Sequence, residues 1–89
     1  MAEPQRPLRK GLVVRLRLAG SHDEWCAGFI ELASDNGKSI SVTLVGGMVR
    51  GARGMYGGII PLSVDYEAET VEALWGDEYE MEVDEALCP

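Results

Sequence analysis

His22 and Cys26 stand four residues apart in the stretch SHDEWC, with Asp23 and Glu24 between them. A His-x3-Cys pair beside carboxylates is half of a tetrahedral zinc site, but a closed site needs a second ligand pair. The chain has no other histidine, and its only other cysteine is Cys88. A solvated turn is therefore the better reading. Other catalytic signatures fare no better. There is no G-x-S-x-G elbow and no G-x-x-x-x-G-K-[ST] phosphate loop, and GARGMYG is spaced G-x-x-G-x-x-G rather than as a dinucleotide fingerprint. The regular carboxylate row, Glu78, Glu80, Glu82 and Asp84, alternates as an exposed strand face would, where nothing prepares a carboxyl for acid-base work. The chain reads as non-catalytic, with no cofactor and no metal.

Charge carries more information than any catalytic motif. Residues 1–53 hold all eight Lys and Arg against five acids, a balance of +3, and residues 54–89 hold ten acids and no base, a balance of −10. Such polarity points either to a binding patch or to pairing within the chain. Carboxylates at every second residue of a strand stand about 7 Å apart on one face and repel unless a base lies opposite. Arg15 and Arg17, alternating in LVVRLRL, are the bases that could answer Glu82 and Glu80 if the first and last strands pair. The remaining bases suggest single-stranded nucleic acid. Arg6, Arg9 and Lys10 on the N-terminal arm and Arg50 and Arg53 in VRGARGMYGG would meet phosphates, with Tyr56 as a stacking platform. A net charge of −7 works against polyanions everywhere except over a local patch.

RPLRK, residues 6–10, and LASDNG, residues 32–37, form a third candidate. Their order resembles the PilZ family, in which an RxxxR stretch precedes a β-barrel and a D/N-x-S-x-x-G turn follows. The resemblance implies a cyclic dinucleotide held by guanidinium forks, since an arginine can pair with a guanine edge while stacking on the base. Lys10 stands where the second arginine belongs, and Leu32 replaces the acid or amide, whereas Ser34 and Gly37 are kept.

These residues must be positioned by strands. Leu12, Val14, Leu16 and Leu18 alternate with Val13, Arg15 and Arg17, the period of a half-buried strand. A second strand is expected over 25–33, with Cys26, Ile30 and Leu32 inward and Trp25 and Phe29 outward. Asn36-Gly37 suits a type I′ hairpin turn, and KSISVTLV returns with Ile40, Val42 and Leu44 inward. Six glycines in GGMVRGARGMYGG, residues 46–58, make a loop or a sharply bent connection, because ordering glycine costs the most backbone entropy. IIPLSVDY resumes as a strand, in which Pro61 cannot donate a ladder hydrogen bond and so argues for a sheet edge or a strand start. Ala68, Val71, Leu74 and Trp75 recur at helical spacing, so 67–75 reads either as a short helix or 3₁₀ turn before the last strand or as a β-hairpin arm. EYEMEVD is the last strand, with Tyr79, Met81 and Val83 inward.

The expected architecture is mainly β, a small SH3-like or half-open β-barrel of four to six strands. Residues 1–11 form an arm, 12–84 a single domain and 85–89 a frayed tail. No apolar run has signal-peptide or membrane-span length, so a cytoplasmic protein with free thiols is expected. A domain of this size gains core by association. Trp25, Phe29 and Pro61 are the candidate contacts for a homodimer or a protein partner.

Overall fold

The computed structural model describes residues 8–68 and 70–84. Eight strands follow one another: β1 (Val13–Leu18), β2 (Cys26–Ala33), β3 (Ser39–Leu44), β4 (Val49–Gly51), β5 (Gly54–Tyr56), β6 (Ile59–Asp65), β7 (Thr70–Ala73) and β8 (Glu78–Val83). Six close into an antiparallel barrel in the order β1-β2-β3-β6-β7-β8, and β4 and β5 form a separate hairpin inserted between β3 and β6. Among the described residues no helix is long and apolar enough to cross a membrane.

The alternation that defines each strand also fills the barrel. Val14 and Leu16, Cys26 and Ile30, Ile40, Val42 and Leu44, Ile60 and Leu62, Val71 and Ala73, and Tyr79 all point inward and are buried, joined by Val49 from the hairpin. Gly28 shares this inner phase on β2. A Cβ there would lie 2.6 Å from the Thr43 carbonyl oxygen and 3.1 Å from a Val42 methyl, so its absence lets β2 and β3 curl together.

Closure depends on β1 and β8, whose register runs from Val14↔Val83 to Leu18↔Tyr79. Backbone bonds from Ala19 to Glu78 and from Asp84 to Val13 extend the ladder at both ends.

One open alternative is settled and three expectations change. Among the described residues of 67–75 there is no helix, and the hairpin alternative is the one adopted: Val71 and Ala73 point inward at period two, while Ala68, Leu74 and Trp75, which completed the helical spacing, are exposed. A strand is needed there to join β6 to β8. Pro61 is not on an edge, because β6 pairs with β3 and with β7. Val64 donates to the Lys38 carbonyl on the β3 side, so odd positions of β6 face β7. The β7 ladder begins at Leu62↔Ala73, and Pro61, one step beyond it, lies where its missing N–H breaks no rung of that ladder. Leu32 points outward, because the β2–β3 register shifts between Ile30 and Leu32 and the extra residue, Glu31, reverses the phase. The hairpin turn centres on Asp35-Asn36: Gly37 N–H closes onto the Ser34 carbonyl and Gly37 itself takes φ +68°. This is a four-residue loop, held further by the Asn36 side-chain oxygen, which accepts from Lys38 N–H and the Ser34 hydroxyl.

Candidate functional site

Antiparallel order sorts the loops into two groups. Residues 19–25, 45–58 and 74–77 lie at one end of the barrel, and residues 8–12, 34–38 and 66–68 at the other. The bases proposed for nucleic acid are divided between them. Arg50 and Arg53 belong to the β4–β5 hairpin at the first end, and Arg9 and Lys10 are exposed at the second. Arg6 lies outside the described residues. The structure thus brings the candidates together in two pairs rather than one patch.

The hairpin is fastened rather than free. Its inner face carries Val49, buried in the core, and Tyr56, whose ring stacks on Trp75 with centroids 4.6 Å apart. Both carboxylate oxygens of Asp77 accept from Ala52 N–H at 3.2 Å, and Gly51 packs where any side chain would strike Tyr56 and Asp77. Arg50 pairs with Asp23 at 3.1 Å, while Arg53 is exposed at the tip. One face of the proposed stacking platform is therefore already covered by the chain's own indole. Beneath, the buried Tyr79 hydroxyl has no hydrogen bond of good geometry. Burial raises its pKa, the charge of Asp77 adds to this, and the Trp75 side chain opposes it.

At the second end the arm and the β2–β3 turn meet. Tyr66 Oη accepts from Leu8 N–H at 3.0 Å and donates to the Gly37 carbonyl at 2.6 Å, placing Arg9 and Lys10 beside the Ser34–Gly37 turn. The Ser34 hydroxyl is engaged inside that turn, donating to Asn36 and accepting from Ser39 N–H.

The outer wall has two distinct sides. On β1 and β8 the expected charge complement is present in register: Arg15 lies opposite Glu82 and Arg17 opposite Glu80, with ion pairs of 2.7 and 2.6 Å. Trp25 belongs to this side. It is half-buried under the Arg17 guanidinium, 4.2 Å from the ring centroid, with Arg15 at 5.6 Å. An exposed Trp25 would have favoured a partner contact; this indole is occupied by the chain's own cations.

The side formed by β2, β3 and β6 is nearly uncharged. One cross-strand row reads Val13–Phe29–Thr43–Ile59 and the next Leu32–Ser41–Pro61. Phe29 is 37% exposed, Leu32 61% and Ile59 58%, and Pro61 is half-buried. Val45, at 66%, extends the surface toward the hairpin, where Met48 and Met55 are also exposed. The one charge within the rows is Glu31, which accepts from the Thr43 hydroxyl at 2.9 Å. Phe29 and Pro61 thus share a face from which Trp25 is absent. Leu32, Val45 and Ile59 are the residues that sequence reasoning missed. Their available signal was the absence of any charge in residues 39–49 and again in 54–64.

His22 and Cys26 do not converge, since the imidazole is exposed while the thiol is buried in the core, where burial raises its pKa. Comparison with known proteins adds no relative: no protein-family model, no curated protein and no solved structure matches this chain.

Proposed function

We propose that this chain is a non-catalytic protein-association module that works through the outer face of β2, β3 and β6. The observation that carries this reading is the contrast between the two sides of one wall. Apart from Val13, outward residues on β1 and β8 are charged and mostly paired, whereas Phe29, Leu32 and Ile59 are left to water on an almost uncharged surface. Contiguous exposed apolar surface on a small protein marks an interaction site, because covering it removes apolar area from water at roughly 25 cal/mol per Å². The test is a photo-crosslinking residue placed at position 59 and, for comparison, at position 82 on the charged side. Adducts at 59 well above those at 82 are expected in cells expressing the chain, and equal yields overturn the reading.

A second reading, binding of a cyclic dinucleotide at the opposite end, is favoured by one observation. Tyr66 pins Leu8 against Gly37, so the arm and the turn that resemble the PilZ motifs are neighbours. Titration calorimetry with a cyclic guanine dinucleotide, on the full chain and on Arg9→Ala, tests it. Saturable heat lost in the variant supports this reading, and no heat removes it.

A further inference from the structure

We infer that the partner seated on the β2–β3–β6 face is a second copy of this chain, packed about a twofold axis that passes over β3. This rests on the association reading above and names its partner. The first argument is self-complementarity. A twofold interface presents the same patch to itself, so each feature must tolerate its own kind. The central strand of the face carries Ser39, Ser41 and Thr43 outward, hydroxyls that both donate and accept. It is flanked on one side by Phe29 and Leu32 of β2 and on the other by Ile59 and Pro61 of β6. With the axis along β3, the β2 flank of one copy covers the β6 flank of the other. With the axis across β3, each flank covers its own counterpart. In both arrangements apolar meets apolar and hydroxyl meets hydroxyl.

The second argument is charge. The chain carries −7, and residues 54–89 carry ten acids and no base. Two copies repel unless the surfaces in contact are uncharged. The β7–β8 side cannot meet itself this way, because Glu72 and Glu78 already face each other across those strands. A basic partner would be drawn to that acidic side, leaving the uncharged face bare. The β2–β3–β6 face has Glu31 as its one charge inside the rows, and Asp65 stands at the end of β6, where it caps the following turn by accepting from Glu67 and Ala68 N–H. Edge pairing is closed to the barrel, since all six of its strands have a partner on both sides. Association through this face therefore uses side chains.

Self-association of this kind has a salt dependence opposite to that of a charge-matched complex. Shortening the Debye length from about 10 Å to about 3 Å weakens the repulsion between two acidic copies and tightens the pair. The same change loosens an acidic protein from a basic partner.

The experiment is sedimentation velocity on the purified full chain across a wide concentration range, at low and high salt, with the variants Ile59→Glu, Leu32→Ser and Glu31→Gln. Both apolar positions are well exposed, so the variants keep the core intact, and thermal melts of each check this. A dimer that tightens with salt is expected, with its dissociation constant raised at least tenfold by Ile59→Glu and by a smaller factor in Leu32→Ser. Glu31→Gln is expected to tighten it. A chain that stays monomeric at all concentrations, or a dimer indifferent to Ile59→Glu, overturns the inference. The mass of the adduct formed at position 59 keeps the two proposals apart. An adduct of twice the chain mass supports both. An adduct of another mass leaves the association reading standing while removing the second copy, and no adduct removes both.

Discussion

The two sides of this barrel handle an outward-facing β surface in different ways. On β1 and β8, long charged side chains cover the wall: Arg15 and Arg17 bond to Glu82 and Glu80, and the same arginines roof Trp25. The apolar aromatic there is shielded by its own chain. On β2, β3 and β6 the outward residues apart from Glu31 are short or apolar, and Phe29, Leu32 and Ile59 have no such cover. Arginine stems can lie across an indole while their heads stay in water, but serine and threonine are too short to reach over a neighbouring phenylalanine or isoleucine. One side satisfies itself within the monomer, and the other leaves its apolar surface available.

The largest effect is expected where both sides depend on the same curl. Gly28 faces inward between Cys26 and Ile30, and a methyl group there meets the Thr43 carbonyl, a backbone atom that cannot rotate aside. Gly28→Ala should destabilise the fold by about 2–3 kcal/mol, the upper part of the usual range of about 1–3 kcal/mol for overpacking, read as a lower urea midpoint. An unchanged midpoint would show that β2 and β3 can separate slightly without cost. Next in size is Arg17, which holds Glu80 and covers Trp25. Its ion pair is partly exposed and so worth less than about 1 kcal/mol, with the cation–π contact adding a similar amount. Arg17→Ala should cost about 1 kcal/mol and increase Trp25 quenching by iodide. Ile59→Ser on the other side should leave monomer stability within about 0.5 kcal/mol. Equal costs at the two positions would break the comparison.

The charged side was the more legible in the sequence. Alternation in LVVRLRL and EYEMEVD set the inward phase of both strands, and the alternating signs predicted their pairing, which β1 and β8 adopt in register. Most inward residues followed from the same period. The uncharged side was harder to read because its outward residues resemble core residues. Ile59 and Ile60 are adjacent isoleucines that face opposite ways, and only the barrel decides which is buried. Strict alternation from Ile30 puts Leu32 inside, and a bulge at Glu31 carries no signal in residue type. The helical alternative arose from a coincidence of spacings: Val71 and Leu74 fit a helix, but Val71 and Ala73 equally fit a strand, and the open position between β6 and β8 settled the choice. Within the nucleic-acid candidates, sequence could not show that Arg9 and Lys10 lie at the opposite end from Arg50 and Arg53, since strand order alone determines which loops meet.

A smaller effect tests how complete the charge pairing is. Glu72 on β7 stands directly opposite Glu78 on β8, and Glu72's other cross-strand neighbour is Ser63. Like charges directly opposite are destabilising by a few tenths of a kcal/mol. Glu72→Lys replaces the repulsion with an attraction and should raise stability by about 0.5 kcal/mol, seen as a small rise in Tm at low salt that disappears at high salt. A fall in Tm would mean that Glu72 makes a compensating contact.

The smallest effect at neutral pH is one that grows under alkaline conditions and has one contributor on each side. Cys26 lies inside β2 and Tyr79 inside β8, and burial raises both above their ordinary pKa values of 9.0 and 10.0, with the negative charge of Asp77 adding to the rise at Tyr79. Each group is neutral in both folded and unfolded chains at pH 7, so neither shift affects stability there. Above pH 9 the unfolded chain loses its Cys26 proton first, and above pH 10 its Tyr79 proton, while the folded chain still holds both. The unfolded state then binds fewer protons, and stability falls as pH rises toward the folded values. Urea midpoints measured from pH 7 to pH 11 should decline in two overlapping stages. Cys26→Ala should remove the earlier stage and Tyr79→Phe the later one. Tyr79→Phe should cost little at pH 7, because the hydroxyl it deletes is buried without a good hydrogen bond. An alkaline decline that survives in the double variant would place its origin elsewhere.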